Sequence, residues 1–241
     1  MGEGRSNFYF KFPRTRHVFD AGGNGVSRDD LIMSEKERKA FLQGKKIIVE
    51  EKIDGANLGI SINRNHEILT QNRAHYINSS SHRQFGALDS WVSKHSADLH
   101  QILQPGKHIL FGEWMVAKHS IHYVTLPDYF LAFDIYDKQE RRFLSVQNRN
   151  ELLASTEIST VRYISSEENL DEDKLLKLLE TKSQFYDGFV EGLVLRIDED
   201  ETGVSDVFSK RAKVVRPDFL QQIEEQWTKQ KYVKNRMACY Y

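Results

Sequence analysis

Six runs along the chain are dense in Val, Ile, Leu and Phe and are bounded by turn-forming residues: Lys46–Lys52, Leu58–Ile62, His108–Met115, Phe130–Tyr136, Val190–Ile197 and Lys213–Arg216. Their length and composition predict buried or half-buried strands. Helical patterns lie between them. Ser34 and Glu37 make a capping box and Gly44 a stop, which predicts a short helix. From Phe85 to Leu103, the residues Leu88, Trp91, Val92, Leu99, Ile102 and Leu103 fall largely on one helical face, and Pro105-Gly106 ends that helix. Leu170–Leu179 reads as a shorter amphipathic helix with acidic residues in its first turn. Pro217 suits the first position of a last helix, with Leu220, Ile223 and Trp227 on one stripe. Strands through the middle with helices around them predict an α+β fold, not a regular βαβ alternation.

Two stretches break the pattern. Asp20–Arg28 holds Gly22, Gly23 and Gly25 without the spacing or the following Lys-Ser/Thr of a P-loop, so it reads as a surface loop. Lys229–Tyr241 mixes basic residues with tyrosines. Such a mixture can hold a single strand, but a frayed terminus is the simpler expectation. The organisation expected is one domain over residues 1–229 and a short basic-aromatic tail over 230–241.

At 241 residues and 39% hydrophobic content, the chain can bury a sizeable core. Its formal net charge of -1 excludes nucleic-acid binding by bulk charge and leaves room only for a confined basic groove. The single cysteine, Cys239, excludes an intrachain disulfide framework and a thiolate zinc site, which fits a reducing compartment. No apolar run approaches the roughly 20 residues of a membrane helix, and the N-terminus lacks a signal-like stretch. The expectation is a soluble, cytoplasmic or nuclear, monomeric protein without membrane partners.

Candidate chemistry changes the picture most. Glu51-Lys52-Ile53-Asp54-Gly55 closes an apolar strand, an unusual place for lysine unless it snorkels or reacts. Alone, Lys-x-Asp-Gly is a weak signal, and Asp-Gly is an ordinary turn pair. It is followed in order by Phe111-Gly112-Glu113-Trp114, Phe133-Asp134-Ile135-Tyr136, Glu191 through Arg196, and Lys210-Arg211-Ala212-Lys213-Val214-Val215. Charges set in apolar strands must face solvent, a partner or a ligand. Carboxylates that hold a metal and ribose, with cations that hold phosphate, describe a nucleotide pocket. On a strand, Arg211 and Lys213 share one face and Lys210 the other. His119-x-x-His122 lacks a third ligand nearby and does not make a metal pair.

This ordered set resembles the covalent nucleotidyltransferase superfamily, which comprises ATP-dependent ligases of DNA and RNA and the mRNA capping enzymes. The resemblance spans about Phe8 to Phe219. Lys11-Phe12-Pro13-Arg14-Thr15-Arg16-His17, Ala117 through His122, and Tyr129-Phe130 make the chain most similar to RNA ligases. The fold so implied is a two-sheet, ATP-grasp-like adenylation domain with peripheral helices; the residues after Lys213 are too few for an OB-fold. A separate end-processing or substrate-clamping protein would then supply what that module provides elsewhere.

The resemblance also implies roles. Lys52 is the nucleophile that takes AMP from ATP, helped by Mg²⁺ or Mn²⁺, and its pKa is expected to lie below the ordinary value of about 10.4. Glu51, Asn57 and Arg73 contact the nucleotide, Glu113 the ribose, and Phe133 stacks on adenine. Glu191 positions the metal. Arg211 and Lys213 bind phosphate, with arginine where the superfamily has Lys-x-Lys. Arg14, Arg16, His17, Arg73, Lys118 and His119 are expected to touch RNA. The activity implied is sealing of an RNA 5′-phosphate to a 3′-hydroxyl through lysyl-AMP. A DNA nick ligase, a guanylyltransferase and an inactive nucleotide- or RNA-binding module remain alternatives at this point.

Overall fold

The computed structural model describes residues 9–22, 31–217 and 232–238. The helix expected from Leu220, Ile223 and Trp227, and the glycine loop from Gly23 to Arg28, lie outside the described residues.

Two antiparallel sheets carry the fold. The smaller contains β1 (Lys46–Lys52), β8 (Tyr163–Glu168), β9 (Gly192–Ile197) and β11 (Arg211–Val215), in the order β11-β9-β1-β8. The larger contains β2 (Ala56–Ile62), β3 (Ile68–Gln71), β4 (Tyr76–Ile77), β5 (His108–Trp114), β6 (Phe130–Asp137), β7 (Arg142–Phe143) and β10 (Glu201–Thr202), in the order β10-β7-β6-β5-β2-β3-β4.

Each sheet has its own apolar packing. Ile47, Val49, Leu193, Leu195, Ala212 and Val214 of the small sheet meet Phe41 and Leu42 of α1 (Glu35–Leu42) and Leu175 of α5 (Glu172–Leu178). Leu58, Ile60, Leu110, Phe130 and Ile135 of the large sheet meet α2 (Leu88–Lys94), α3 (Ser96–Ile102) and α4 (Val146–Leu153). Strand parity does the rest. With Ile47 and Val49, Leu193 and Leu195, or Ala212 and Val214 turned to the helices, the alternate positions Glu50, Lys52, Val194, Arg196, Arg211 and Lys213 are left to line a cleft between the sheets.

The capping box at Ser34 and Glu37 forms, and Gly44 takes a positive φ of 65° that a side chain would resist. Three expectations change. The 85–103 segment is not one helix: a 3-10 turn at Arg83–Phe85 precedes α2, and α2 and α3 are separated at His95. The buried His95 ring meets Asp128 at 3.2 Å, and Trp91 donates to the same carboxylate at 2.9 Å, so a distant acid fixes the break. The last strand starts at Arg211, where pairing with Arg196 begins, after an unforeseen helix α6 (Gly203–Lys210). The tail does not fray over 232–238; it docks along residues 115–126 through backbone hydrogen bonds such as Asn235 N–H to Val116 O at 3.0 Å.

Candidate active site

The cleft between the sheets has a volume of about 310 Å³. Lys52 reaches it from the end of β1, where the chain turns through Ile53-Asp54-Gly55 into β2. Gly55 is needed in that turn because a Cβ there would lie 2.6 Å from the Trp114 carbonyl oxygen. Its N–H instead donates to Glu113 Oε1 at 3.1 Å, tying the turn to β5. Asp54 is held from the other side: its N–H donates to the Tyr123 hydroxyl at 3.0 Å, and its Oδ2 accepts from Ser120 N–H at 2.7 Å.

Lys52 Nζ forms an ion pair with Glu191, whose side chain is almost fully buried. Burial alone would lower the lysine pKa, but the charges of Glu191, Asp54 and Glu113 outweigh it and raise the value. This corrects the expectation of a depressed lysine. In exchange, burial pushes the Glu113 carboxyl up to about 8 and that of Glu191 to about 7, against the pull of Lys52 on both. One ammonium thus faces three carboxyl groups. Lys213 is also near enough to Glu191 to favour its ionised form.

These values set a pH dependence. The folded chain keeps protons on Glu113 and Glu191 that an unfolded chain has released above an ordinary 4.5. More protons bound in the folded state means that stability falls as pH rises. These two carboxyls are expected to lower the melting temperature of the ligand-free protein as pH rises from about 4.5 to about 8, against His108 and His119, whose pKa values burial lowers and which act in the opposite sense. Glu113→Gln should flatten that slope; an unchanged slope in a melting series would refute the assignment.

Glu51, Asn57, Arg73, Phe133 and Lys213 all line the cleft. Glu51 Oε1 accepts from the Ser183 hydroxyl at 2.5 Å, while its buried Oε2 has no hydrogen-bond partner. Burial raises its pKa. Asn57 Oδ1 is likewise buried without a partner. Phe133 meets Phe12 edge-to-face with ring centroids 5.2 Å apart, so Phe12 of the N-terminal segment is a second aromatic wall. Arg73 donates to the Phe12 carbonyl oxygen at 3.2 Å, and Arg14 is close enough to oppose its charge.

Below the cleft lies a floor of ions, of which the sequence pattern pointed only to Arg211, and to a different role. Asp134 of β6 pairs with Arg196 of β9 at 2.9 Å and with both terminal nitrogens of Arg211 of β11, one at 2.9 Å. Arg149 of α4 reaches Glu50 of β1 at 2.6 Å and the Phe133 carbonyl oxygen at 2.6 Å. Asp134 and Arg196 stood inside the motifs as charges on apolar strands; that signal was present but unread. Arg149 carried none.

Several expected site residues sit elsewhere or act differently. Arg211 faces the cleft as parity required, but its fork closes on Asp134, so it is a scaffold cation and not a free phosphate clamp. Lys210, expected on the other face, does lie outside the cleft, with Glu199 at 3.1 Å and Asp206 at 3.5 Å. His17 is 2% exposed and bridges Lys213 and Ile32, and Arg16 pairs with Glu37 at 2.7 Å, so neither offers RNA an open contact. Lys118 and His119 are partly exposed, and His119 meets Gln84 at 3.2 Å and Asp54 at 4.0 Å. No group of three metal-binding side chains occurs among the described residues.

Two face-to-face sheets around a lysine at a strand end match the fold of nucleotidyltransferase-type ligases, with no OB-fold among the described residues. The family model for RNA ligase matches residues 45–215, and the chain belongs to that family. Among solved structures, a Naegleria gruberi RNA ligase with PPi is similar at TM-score 0.59 and 17% identity, covering 90% of this chain and 65% of that one. A lysine-to-alanine mutant of the Naegleria enzyme with ATP and Mn gives 0.56 and 15%, covering 88% and 62%. An archaeal ATP-dependent RNA ligase gives 0.53 and 17%, covering 88% and 49%. The chain thus spans less than two thirds of the length of these relatives. No curated protein matches the sequence. None of the described helices is long and apolar enough to cross a membrane.

Proposed function

We propose that the protein is an ATP-dependent RNA ligase that works through a covalent Lys52–AMP intermediate. The observation that carries this reading is Lys52 at the mouth of a strand turn, inside a cleft built from both sheets and ringed by Glu191, Glu113 and Asp54.

ATP enters with adenine against the Phe133 ring, which Phe12 supports by edge-to-face contact. Glu51 Oε2 accepts from the adenine amino group; guanine would bring a carbonyl oxygen against the same carboxylate, which disfavours GTP. Glu113 and Asn57, paired across β5 and β2, turn toward the ribose. The Lys52 amine attacks the α-phosphorus, the bond between the α-phosphorus and its bridging oxygen breaks, and pyrophosphate leaves with that oxygen. Lys213 faces the charge that develops on the departing group. The ammonium must first lose a proton, and Glu191, in contact with Nζ, holds the amine in the cleft.

Glu191 Oε2, buried without a hydrogen-bond partner in a site with excess carboxylates, fits a divalent cation. Mg²⁺ characteristically keeps waters and phosphate oxygens as its other ligands, so one or two carboxylates suffice. When bound, Mg²⁺ or Mn²⁺ supplies positive charge that opposes the ammonium form of Lys52 and neutralises phosphate. In the second step AMP passes to an RNA 5′-phosphate, and a 3′-hydroxyl then displaces it. Arg14, Arg73, Lys118 and His119 at the rim would hold RNA phosphates, which makes binding salt-sensitive.

The test is to label the protein with α-labelled ATP or GTP and Mg²⁺, then chase with nicked RNA or nicked DNA. ATP label that survives denaturation and moves to RNA is the expected result. Strong GTP label would point to capping chemistry, and transfer to DNA alone would make the protein a DNA ligase. Absence of label would leave only a binding module.

A further inference from the structure

Segment 232–238 packs along residues 115–126 from far along the chain, and its centre is Asn235, only 1% exposed. The Asn235 side-chain amide donates to the carbonyl oxygens of Met115 at 2.7 Å and Ala117 at 3.2 Å. Its Oδ1 accepts from the Tyr123 N–H at 3.0 Å. All three partners lie on the segment after β5 that arches over the Lys52 turn. The backbone adds to the grip: Asn235 N–H donates to Val116 O at 3.0 Å, Arg236 N–H to Tyr123 O at 2.9 Å and Lys118 N–H to Val233 O at 2.9 Å.

The same segment holds the nucleophile's turn on its other side. Tyr123 Oη accepts from Asp54 N–H, and Ser120 N–H donates to Asp54 Oδ2. Asp54 lies two residues beyond Lys52 and contributes to its charge balance. Asn235 therefore connects, through one side chain, both ends of the arch that fixes Asp54. Burying a carboxamide costs free energy unless it is satisfied. Here it makes three hydrogen bonds to one loop. Packing alone would be served by an apolar residue.

We propose that Asn235 is a positioning residue for adenylation: by holding the 115–123 arch, it sets Asp54 and hence the Lys52 amine in the attacking geometry. This inference rests on the reading of Lys52 as the AMP acceptor. It makes the segment around Asn235 part of the working site without contact with the nucleotide, since Asn235 is not among the cleft-lining residues.

A double-variant cycle tests it. Wild type, Asn235→Ala, Tyr123→Phe and the double variant are compared in single-turnover self-labelling by α-labelled ATP over a range of ATP concentrations. Each single change is expected to slow labelling about tenfold at saturating ATP, with the half-saturating concentration moving less than about twofold. The double variant should be no slower than the worse single change within about threefold, because both break one chain of contacts. Independent effects that multiply to about a hundredfold, or a loss seen only in ATP affinity, would overturn the proposal. If Asn235→Ala melts below the assay temperature, Asn235→Ser takes its place in the cycle. A wild type that never labels would instead refute the ligase reading, so the two failures are distinguishable.

Discussion

Lys52→Ala is expected to carry no covalent label from α-labelled ATP, while wild type labels to a substantial fraction of the protein. No neighbouring amine can substitute: Lys213 sits on another strand, and Lys210 lies outside the cleft with Glu199 and Asp206. Lys52→Arg should fail as completely, because a guanidinium stays protonated at any working pH and offers no lone pair for attack. Removal of a nucleophile is an all-or-none loss, unlike removal of an orienting group. Lys210→Ala should label close to the wild-type level and serves as the matched control. Denaturing gel electrophoresis after a short incubation reads all four proteins. Equal label on Lys52→Ala would dismiss this lysine, and with it every role argued from the cleft.

The second large effect is on stability. Asp134→Ala should destabilise the protein by about 3–5 kcal/mol, the usual consequence of removing one member of a buried ionic group. Asp134 is 2% exposed and shared by Arg196 at 1% and Arg211 at 2%, so its loss strips two buried guanidiniums of their common carboxylate. Arg196 also donates to the Leu144 carbonyl oxygen at 2.9 Å and Arg211 lies over the Phe143 ring at 4.9 Å, contacts that carry no negative charge. Against a typical total of about 5–15 kcal/mol, such a loss is a large fraction and leaves some molecules unfolded at growth temperature. Asp134→Asn should fall between alanine and wild type. Urea unfolding followed by tryptophan fluorescence gives the comparison, and a midpoint unchanged in Asp134→Ala would show that the floor is not a structural ion group.

Much of the fold was legible because strands of this type announce themselves by composition. β1 matches the expected Lys46–Lys52, and the expected strands in β5, β6 and β9 shift by only one or two residues at an end. What stayed hidden depended on partners remote in sequence. Nothing near His95 breaks the 85–103 helix; the cause is Asp128, whose approach a helical pattern cannot report. Strand parity placed Arg211 and Lys213 on the cleft side, yet parity says nothing about what a side chain finds there, and Arg211 finds Asp134. The sign of the Lys52 shift failed for a related reason. Burial and carboxylate charge oppose one another, and only their distances decide the outcome. Asn235 sits in a stretch whose composition suggested a loose end, and its contacts reach back more than a hundred residues.

The ionic floor also bears on how such a protein can move. A jaw opens along a seam where little has to be broken, and here the seam between the sheets is crossed by Glu50, Arg149, Asp134, Arg196 and Arg211. Prising the sheets apart would pull these buried charges away from their partners, so the back of the cleft behaves as an anvil. Compliance is left to the rim. There the N-terminal segment is laced on through main-chain bonds from Lys213 to Arg16 and from Val18 to Lys213, and the 115–126 arch through bonds to 232–238. Contacts of that kind can slip one at a time. A bulky polynucleotide would therefore be accommodated by flexing of these edge straps around a nucleotide seat of constant width.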